Sequence, residues 1–156
     1  MDINRLKEEK YINECNKHKI RIIESYTELK NIFPISSKKY QELDDMQIKN
    51  IDQYLFRFAK MQDTIGDKLF KLIVEEFVED ITTMRFVDIL NQLEKIGILS
   101  SIDDWQILRK DRNNIAHQYD EEAEDMADAI NKIFAQKDIL LEVFTQIENY
   151  FNKVEA

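Results

Sequence analysis

A chain of 156 residues is the size of one domain and can bury a substantial core. Two glycines (Gly66, Gly97) and one proline (Pro34) are too few for the tight turns of a sheet protein, so the fold class expected is all-α. The formal net charge of −9 argues against a protein that coats nucleic acid with a general basic surface, since neutralising phosphates drives such binding.

No apolar run approaches the ~20 residues that span a bilayer, and Met1-Asp2-Ile3-Asn4-Arg5 lacks an apolar signal core. A cytoplasmic, non-membrane protein is expected. Cys15 is alone and reads as a small core residue.

The first helix is expected from about Asn4 to Asn31, with Ile12, Cys15, Ile22, Tyr26 and Leu29 at helical spacing. His18 sits among Asn16, Lys17 and Lys19 and reads as a solvated residue without a partner. Phe33-Pro34-Ile35 ends this helix, and Ser36 and Ser37 suit a turn or a new N-cap. A second, long helix runs from about Lys39 or Asp44 to Glu79, with Ile48, Ile51, Leu55, Phe58, Ile65, Leu69, Leu72 and Phe77 as its buried stripe. Its polar residues Arg57, Gln62, Asp63 and Asp67 suit a solvated face; alternatively Arg57 or Asp63 supports the Arg112–Tyr119 stretch from a neighbouring helix. Gly66 either permits close helix approach or is incidental.

Thr82 and Thr83 are candidate caps for a third helix carrying Phe86, Val87, Ile89, Leu90 and Leu93, which Gly97 stops. Ser101-Ile102-Asp103-Asp104 resembles a capping box and starts a fourth helix near Ile102. A fifth spans about Glu121 to Asn152, with Ala129, Ile133, Ile139, Leu140, Phe144, Ile147 and Phe151 inward. The acidic run Asp120 to Asp128 at its start complements the helix dipole. No internal repeat or linker divides the chain, so one helical domain over residues 1–156 is expected.

The chemically dense stretch is Arg112-Asn113-Asn114-Ile115-Ala116-His117-Gln118-Tyr119. On a helix advancing ~100° per residue, Trp105, Leu108, Arg112, Ile115 and Tyr119 share one broad face. Arg109, Asn113 and His117 form a strip beside it, four apart. Arg112 and His117 lie about 140° apart around the cylinder. A phosphate across the small Ala116 can touch both, or a two-fold mate can bring a second arginine opposite the histidine. Histidine moves protons near neutral pH, and the arginine fork fits phosphate and the charge of its transition state. Asn113 can orient the imidazole or a phosphate oxygen. The set suits RNA cleavage by its own 2′-hydroxyl. No Asp/His set with metal-ligand spacing is visible, and no cofactor is expected.

This stretch resembles the R-x4-H-x-Y motif of the HEPN family, and most closely the HepT-type toxins and the proteins once called nucleotidyltransferase substrate-binding subunits. Trp105, Leu108 and Arg109 precede the motif as they often do there, and Arg57-Phe58-Ala59-Lys60-Met61-Gln62-Asp63 is similar to the family's second helix. The similarity covers about Asp44 to Tyr150.

The resemblance implies an up-and-down bundle of about five helices that forms a homodimer, with both motif copies facing one cleft. It implies metal-independent endoribonuclease action on RNA, with Arg112 and His117 as catalytic pair and Asn113 as polar helper. Arg109, Arg57 and Asp63 are possible supporting residues. The implied partner is an MntA-type nucleotidyltransferase antitoxin, in a type VII-like toxin–antitoxin pair, that transfers AMP from ATP to Tyr119. Two other readings compete. One is a non-catalytic subunit that presents substrate to a nucleotidyltransferase, which the acidic surface favours; the other is a structural helical adaptor.

Overall fold

The computed structural model describes residues 2–117 and 122–155, with the side chains of 116, 117 and 155 outside that description. Helix ends are set by side chains that satisfy the backbone groups a helix leaves unpaired. Asp2 accepts from Asn4 N–H (3.0 Å) and opens α1 (Ile3–Leu29). After α1 the chain turns through the cis Phe33–Pro34 bond. Asn131 then clamps Ile35 at both its N–H and its carbonyl, each at 2.8 Å. Ser36 caps the short α2 (Ser37–Gln41). Asp44 and Gln47 exchange bonds in a capping box that opens α3 (Asp45–Thr64).

The rod does not end with α3. One wide π turn (Ile65–Leu69) follows and leads into α4 (Phe70–Val74). The helix expected to reach Glu79 thus stops at Val74, where Glu76 and Phe77 tighten onto the carbonyls of Ile73 and Val74. Phe77 consequently lies half exposed rather than in the core, as does Ile48 at the rod's other end.

Thr82 and Thr83 do not cap the next helix. They lie in a 3₁₀ turn (Ile81–Thr83) that Asp80 holds through Thr82 N–H and Oγ1. The α5 helix (Phe86–Lys95) begins one turn later, where the Asp88 carboxylate returns to Arg85 N–H (3.2 Å), and Val87 faces outward. Gly97, at φ +86°, closes α5: its N–H reaches Glu94 and the next N–H, of Ile98, reaches Leu93. Ser101 Oγ and the Glu94 carboxylate accept the first N–H groups of α6 (Ile102–His117).

The single fifth helix expected from Glu121 is two helices, α7 (Ala123–Phe134) and α8 (Lys137–Glu155). No glycine or proline marks the break. It is made from outside: the buried Tyr54 hydroxyl of α3 donates to the carbonyls of Ile133 (2.9 Å) and Phe134 (3.2 Å), and the buried Gln136 side chain donates to Asp111 of α6.

The described residues are all-helical, a bundle in which α1 and α3 run antiparallel. Gln53 bonds Ser25 and the Arg21 carbonyl, and one turn on Arg57 bonds His18. Ile22, Leu29, Phe58, Met61, Ile65, Leu90, Leu108, Leu140, Phe144 and Ile147 form the buried centre. Cys15 belongs to it as expected, and burial, with Glu14 and Glu148 adding, pushes its thiol up to about 12. No described helix is long and apolar enough to cross a membrane.

Because Tyr54 terminates α7, removing its hydroxyl tests that joint. Tyr54→Phe is expected to lower stability by about 1 kcal/mol, the typical net value of one buried hydrogen bond, read as a lower urea midpoint with unchanged slope.

Candidate functional site

Three buried side chains fix how α6 is rotated. Trp105 and Leu108 enter the core, and Asp111, one turn further on, is buried against Gln136. With that side inward, Arg109, Arg112 and Asn113 come together along a cleft of about 350 Å³ between α6 and the α3–π turn. Arg112 is half-buried beside the buried tryptophan rather than inside the core with it.

The close approach of α6 depends on Gly66. A Cβ there would stand 3.2 Å from Trp105 Cζ2, in the fully buried indole, so a side chain at 66 presses against a ring with nowhere to go. Of the two readings of Gly66, the structure selects close helix approach. The Phe70 ring packs against the same indole at 4.7 Å between centroids.

Across the cleft, Asp63 holds Arg112 by a two-point carboxylate–guanidinium pair, NH1 to Oδ1 and NH2 to Oδ2, the latter at 2.9 Å. The two side chains come from positions 49 apart, and each is 37% exposed. A pair exposed to that degree is screened and stabilises by at most ~1 kcal/mol. Its larger effect is directional. Two of the five guanidinium N–H groups are committed to Asp63, which orients the plane and leaves three. Arg109 lies over the Phe86 ring, Cζ 4.5 Å from the centroid, which holds the second cation of the cleft.

Asp63 therefore supports Arg112, but Arg57 does not join them. Positions 57 and 63 are six apart on α3, on flanks about 120° apart. The Arg57 guanidinium turns to α1, where it lies 3.1 Å from His18 Nδ1. This corrects the reading of His18 as solvated and unpartnered: it is part-buried, and Nδ1 accepts from the guanidinium. Burial first, then Arg57, lowers its pKa below the ordinary histidine value.

His117 is the last residue of α6, five positions beyond Arg112; its side chain lies outside the described residues. Tyr119, Asp120 and Glu121 lie outside them altogether. Two acids of α6 are directed away from this cleft. Asp111 is turned to Gln136, and Asp104 lines a different cavity, with Asp138 and Glu142. Instead α3 and its π turn supply Asp63 and Asp67.

Sequence reasoning missed the parts of the site that lie off the motif. Phe86 reads simply as core, and Gln62 and Asp67 as a solvated face. No spacing rule links them to Arg112. The π turn, a feature frequent at functional sites, has no sequence signature beyond Gly66.

Comparison with known protein families, with curated proteins and with solved structures returned no match. The family resemblance therefore rests on the motif and its flanking residues.

The His18–Arg57 contact carries a pH signature. A histidine whose folded pKa is lowered binds its proton better in the unfolded chain, so stability falls as pH drops below the unfolded value near ~6.5. The His18→Gln variant is expected to lose less stability than wild type between neutral pH and the folded pKa of His18. The check is paired urea midpoints across that window, where the difference between the two proteins removes the carboxylate background.

Proposed function

We propose that this chain is a metal-independent endoribonuclease of the HEPN type, a HepT-like toxin. Arg112 stabilises the phosphoryl charge and His117 moves the proton of the attacking 2′-hydroxyl or the leaving oxygen. Asn113 orients one of them. What supports the reading is the complete R-x4-H-x-Y stretch in an all-helical chain. To this is added the convergence of Arg109, Arg112 and Asn113 on one cleft, with Asp63 aligning the guanidinium.

The chemistry needs a proton acceptor, a proton donor and a fixed positive charge. The guanidinium of Arg112 supplies the fixed positive charge. Its pairing with Asp63 fixes the plane before substrate arrives, so less ordering remains to be done in the transition state. The half-exposed pair leaves a phosphate able to approach the remaining N–H groups. The ~140° between Arg112 and His117 is bridged in one of two ways: a substrate across Ala116, or the histidine of a second copy in a homodimer whose motifs share a cleft.

The proposed control is AMP transfer from ATP to Tyr119 by an MntA-type nucleotidyltransferase. The tyrosyl oxygen attacks the α-phosphorus, pyrophosphate leaves, and the hydroxyl proton passes to a base of that partner. The resulting phosphodiester places an anion and a nucleotide two residues from His117, where RNA must come. The competing reading, a non-catalytic substrate-binding subunit, draws on the same Asp63 pair, since a carboxylate already fills the arginine's fork.

Purified wild-type protein is expected to cleave RNA without added metal, and His117→Ala to slow cleavage by about 10²-fold or more, the scale of positioned acid–base catalysis. Equal cleavage by both proteins assigns the activity to a contaminant and overturns the reading; no cleavage by either favours the binding subunit. For the control, mass spectra of the chain co-expressed with a nucleotidyltransferase encoded beside it should show one or more AMP units on the Tyr119 peptide. An unmodified peptide in the presence of an active partner removes Tyr119 from the scheme.

A further inference from the structure

Separate from the Arg112 cleft, α2, α3, α6 and α7 border an open groove of about 450 Å³. Its walls are apolar and reach the surface. Tyr40, Leu55, Ile115 and Met126 are half-buried there, and Ile48 is 43% exposed. Exposed apolar side chains are usually scattered singly, and several converging in one groove mark an interaction surface. Among the described residues that line it, the one charged side chain is Asp52, a carboxylate.

Helical spacing extends that negative charge along both edges. On α3, Asp45 lies on the same side as Ile48 and Asp52, and it is exposed. On α7, Glu122 stands one turn before Met126 and is exposed too. The groove also has length. From Ile48 to Leu55, α3 climbs about 10 Å, or two helical turns. Over that distance an amphipathic helix presents anchors at i, i+3, i+4 and i+7 to the groove of a partner. The carboxylates decide what the helix carries beside its anchors. A second copy of this chain, meeting the groove by the same patch across a two-fold axis, would set Asp45, Asp52 and Glu122 against their own kind. Nucleic acid would bring phosphates to the same carboxylates. Lysine or arginine flanking an apolar face satisfies both the walls and the edges.

We propose that this groove is a docking site for a basic amphipathic helix of a partner protein. Its apolar face seats along Ile48, Leu55, Ile115 and Met126, and its cations meet Asp45, Asp52 and Glu122. Ile115 and Met126 belong to the two helices between which Tyr119 lies in sequence, so a partner seated here grips both. The groove itself does not rest on the nucleotidyltransferase reading or on the ribonuclease reading.

The probe is a short labelled synthetic helix with leucines at i, i+3, i+4 and i+7 and lysines elsewhere. Its twin carries glutamate in place of lysine. Each is titrated into the full chain and followed by anisotropy, and methyl NMR of isoleucine and methionine locates the contact. The lysine helix is expected to bind at least about ten-fold tighter than its twin, because like charges across an interface oppose binding. Methyl shifts should centre on Ile48, Ile51, Ile115, Met126 and Ile130. Ile48→Ser combined with Met126→Ser keeps the charge of the chain and should weaken binding about ten-fold or more, since it removes apolar area from the walls. Phe77→Ser, an equally exposed apolar residue at the other end of the α3–α4 rod, should leave binding unchanged. Equal affinity for the two helices, undiminished binding by the double variant, shifts spread over other faces, or no binding at all overturns the docking site. A dimer of the wild type that the double variant dissolves, read by light scattering, assigns the groove to a second copy and overturns it as well. Should the double variant fail to fold, the methyl shifts and the lysine–glutamate comparison on the wild type decide alone. Groove-directed binding by a chain that cuts no RNA retains the docking site and removes the nuclease; RNA cleavage by a chain that ignores the lysine helix does the reverse.

Discussion

The carboxylate–guanidinium pair between Asp63 and Arg112 is the contact on which the site depends. It joins α3 to α6 across 49 positions of sequence and holds the one permanent charge of the motif in a fixed plane. Its partial exposure matters as much as its geometry. A deeply buried pair would be costly to open, because removing one partner strands a desolvated charge. At 37% exposure on each side, water already shares the ions, so another anion can take part in the contact at modest cost. Asp63 thus aligns Arg112 while leaving three of its N–H groups open to another acceptor.

That pair exists because α6 is locked in rotation and α3 is locally widened. Trp105 enters where Gly66 carries no side chain, and the π turn from Ile65 to Leu69 follows directly on the last turn of α3, which bears Gln62 and Asp63. On the far side Asp111 is anchored by the buried Gln136, which lies at the break between α7 and α8. The break in turn depends on the Tyr54 hydroxyl. A chain of contacts therefore runs from the α3 core through the α7–α8 joint back to the motif helix. The fold and the site share their polar anchors.

What the sequence disclosed divides along the range of the interaction responsible. Local signals were readable. Ser36 caps a helix, Gly97 closes one, Ser101 opens the motif helix, and the apolar spacing of α1 and α8 names residues that are buried, save Ile12, Tyr26 and Ile139, which pack half-buried at the edge of the core. Boundaries made by distant groups were not. Nothing near Ala135 announces that a tyrosine eighty positions earlier takes the carbonyls of Ile133 and Phe134. Nothing near His18 announces Arg57. The second helix falls short of Glu79 without a proline or glycine to stop it. The same division holds for the site. Arg109, Arg112 and Asn113 could be placed on neighbouring strips from helical arithmetic alone, whereas Phe86, Gln62 and the orientation of Asp111 required the packing of three other elements.

The net charge of −9 needs the same care, because a sum says little about where charges point. On α6 the acids nearest the motif are directed elsewhere: Asp111 into the interior against Gln136, Asp104 toward the cavity it shares with Asp138. Inside the cleft two arginines face two aspartates, and one of those aspartates is already bonded to one of the arginines. Under the ribonuclease reading, RNA does not add phosphates to bare cations there. A phosphate there shares Arg112 with Asp63, on the N–H groups that the carboxylate leaves open. Counterion release scales with the number of phosphates neutralised, so an arginine already paired with a carboxylate contributes little to nonspecific affinity. Discrimination must then come from the shape of the cleft. An acidic chain is compatible with that design, since indiscriminate binding is what its surface opposes and a local, directional contact is what the Asp63–Arg112 pair preserves.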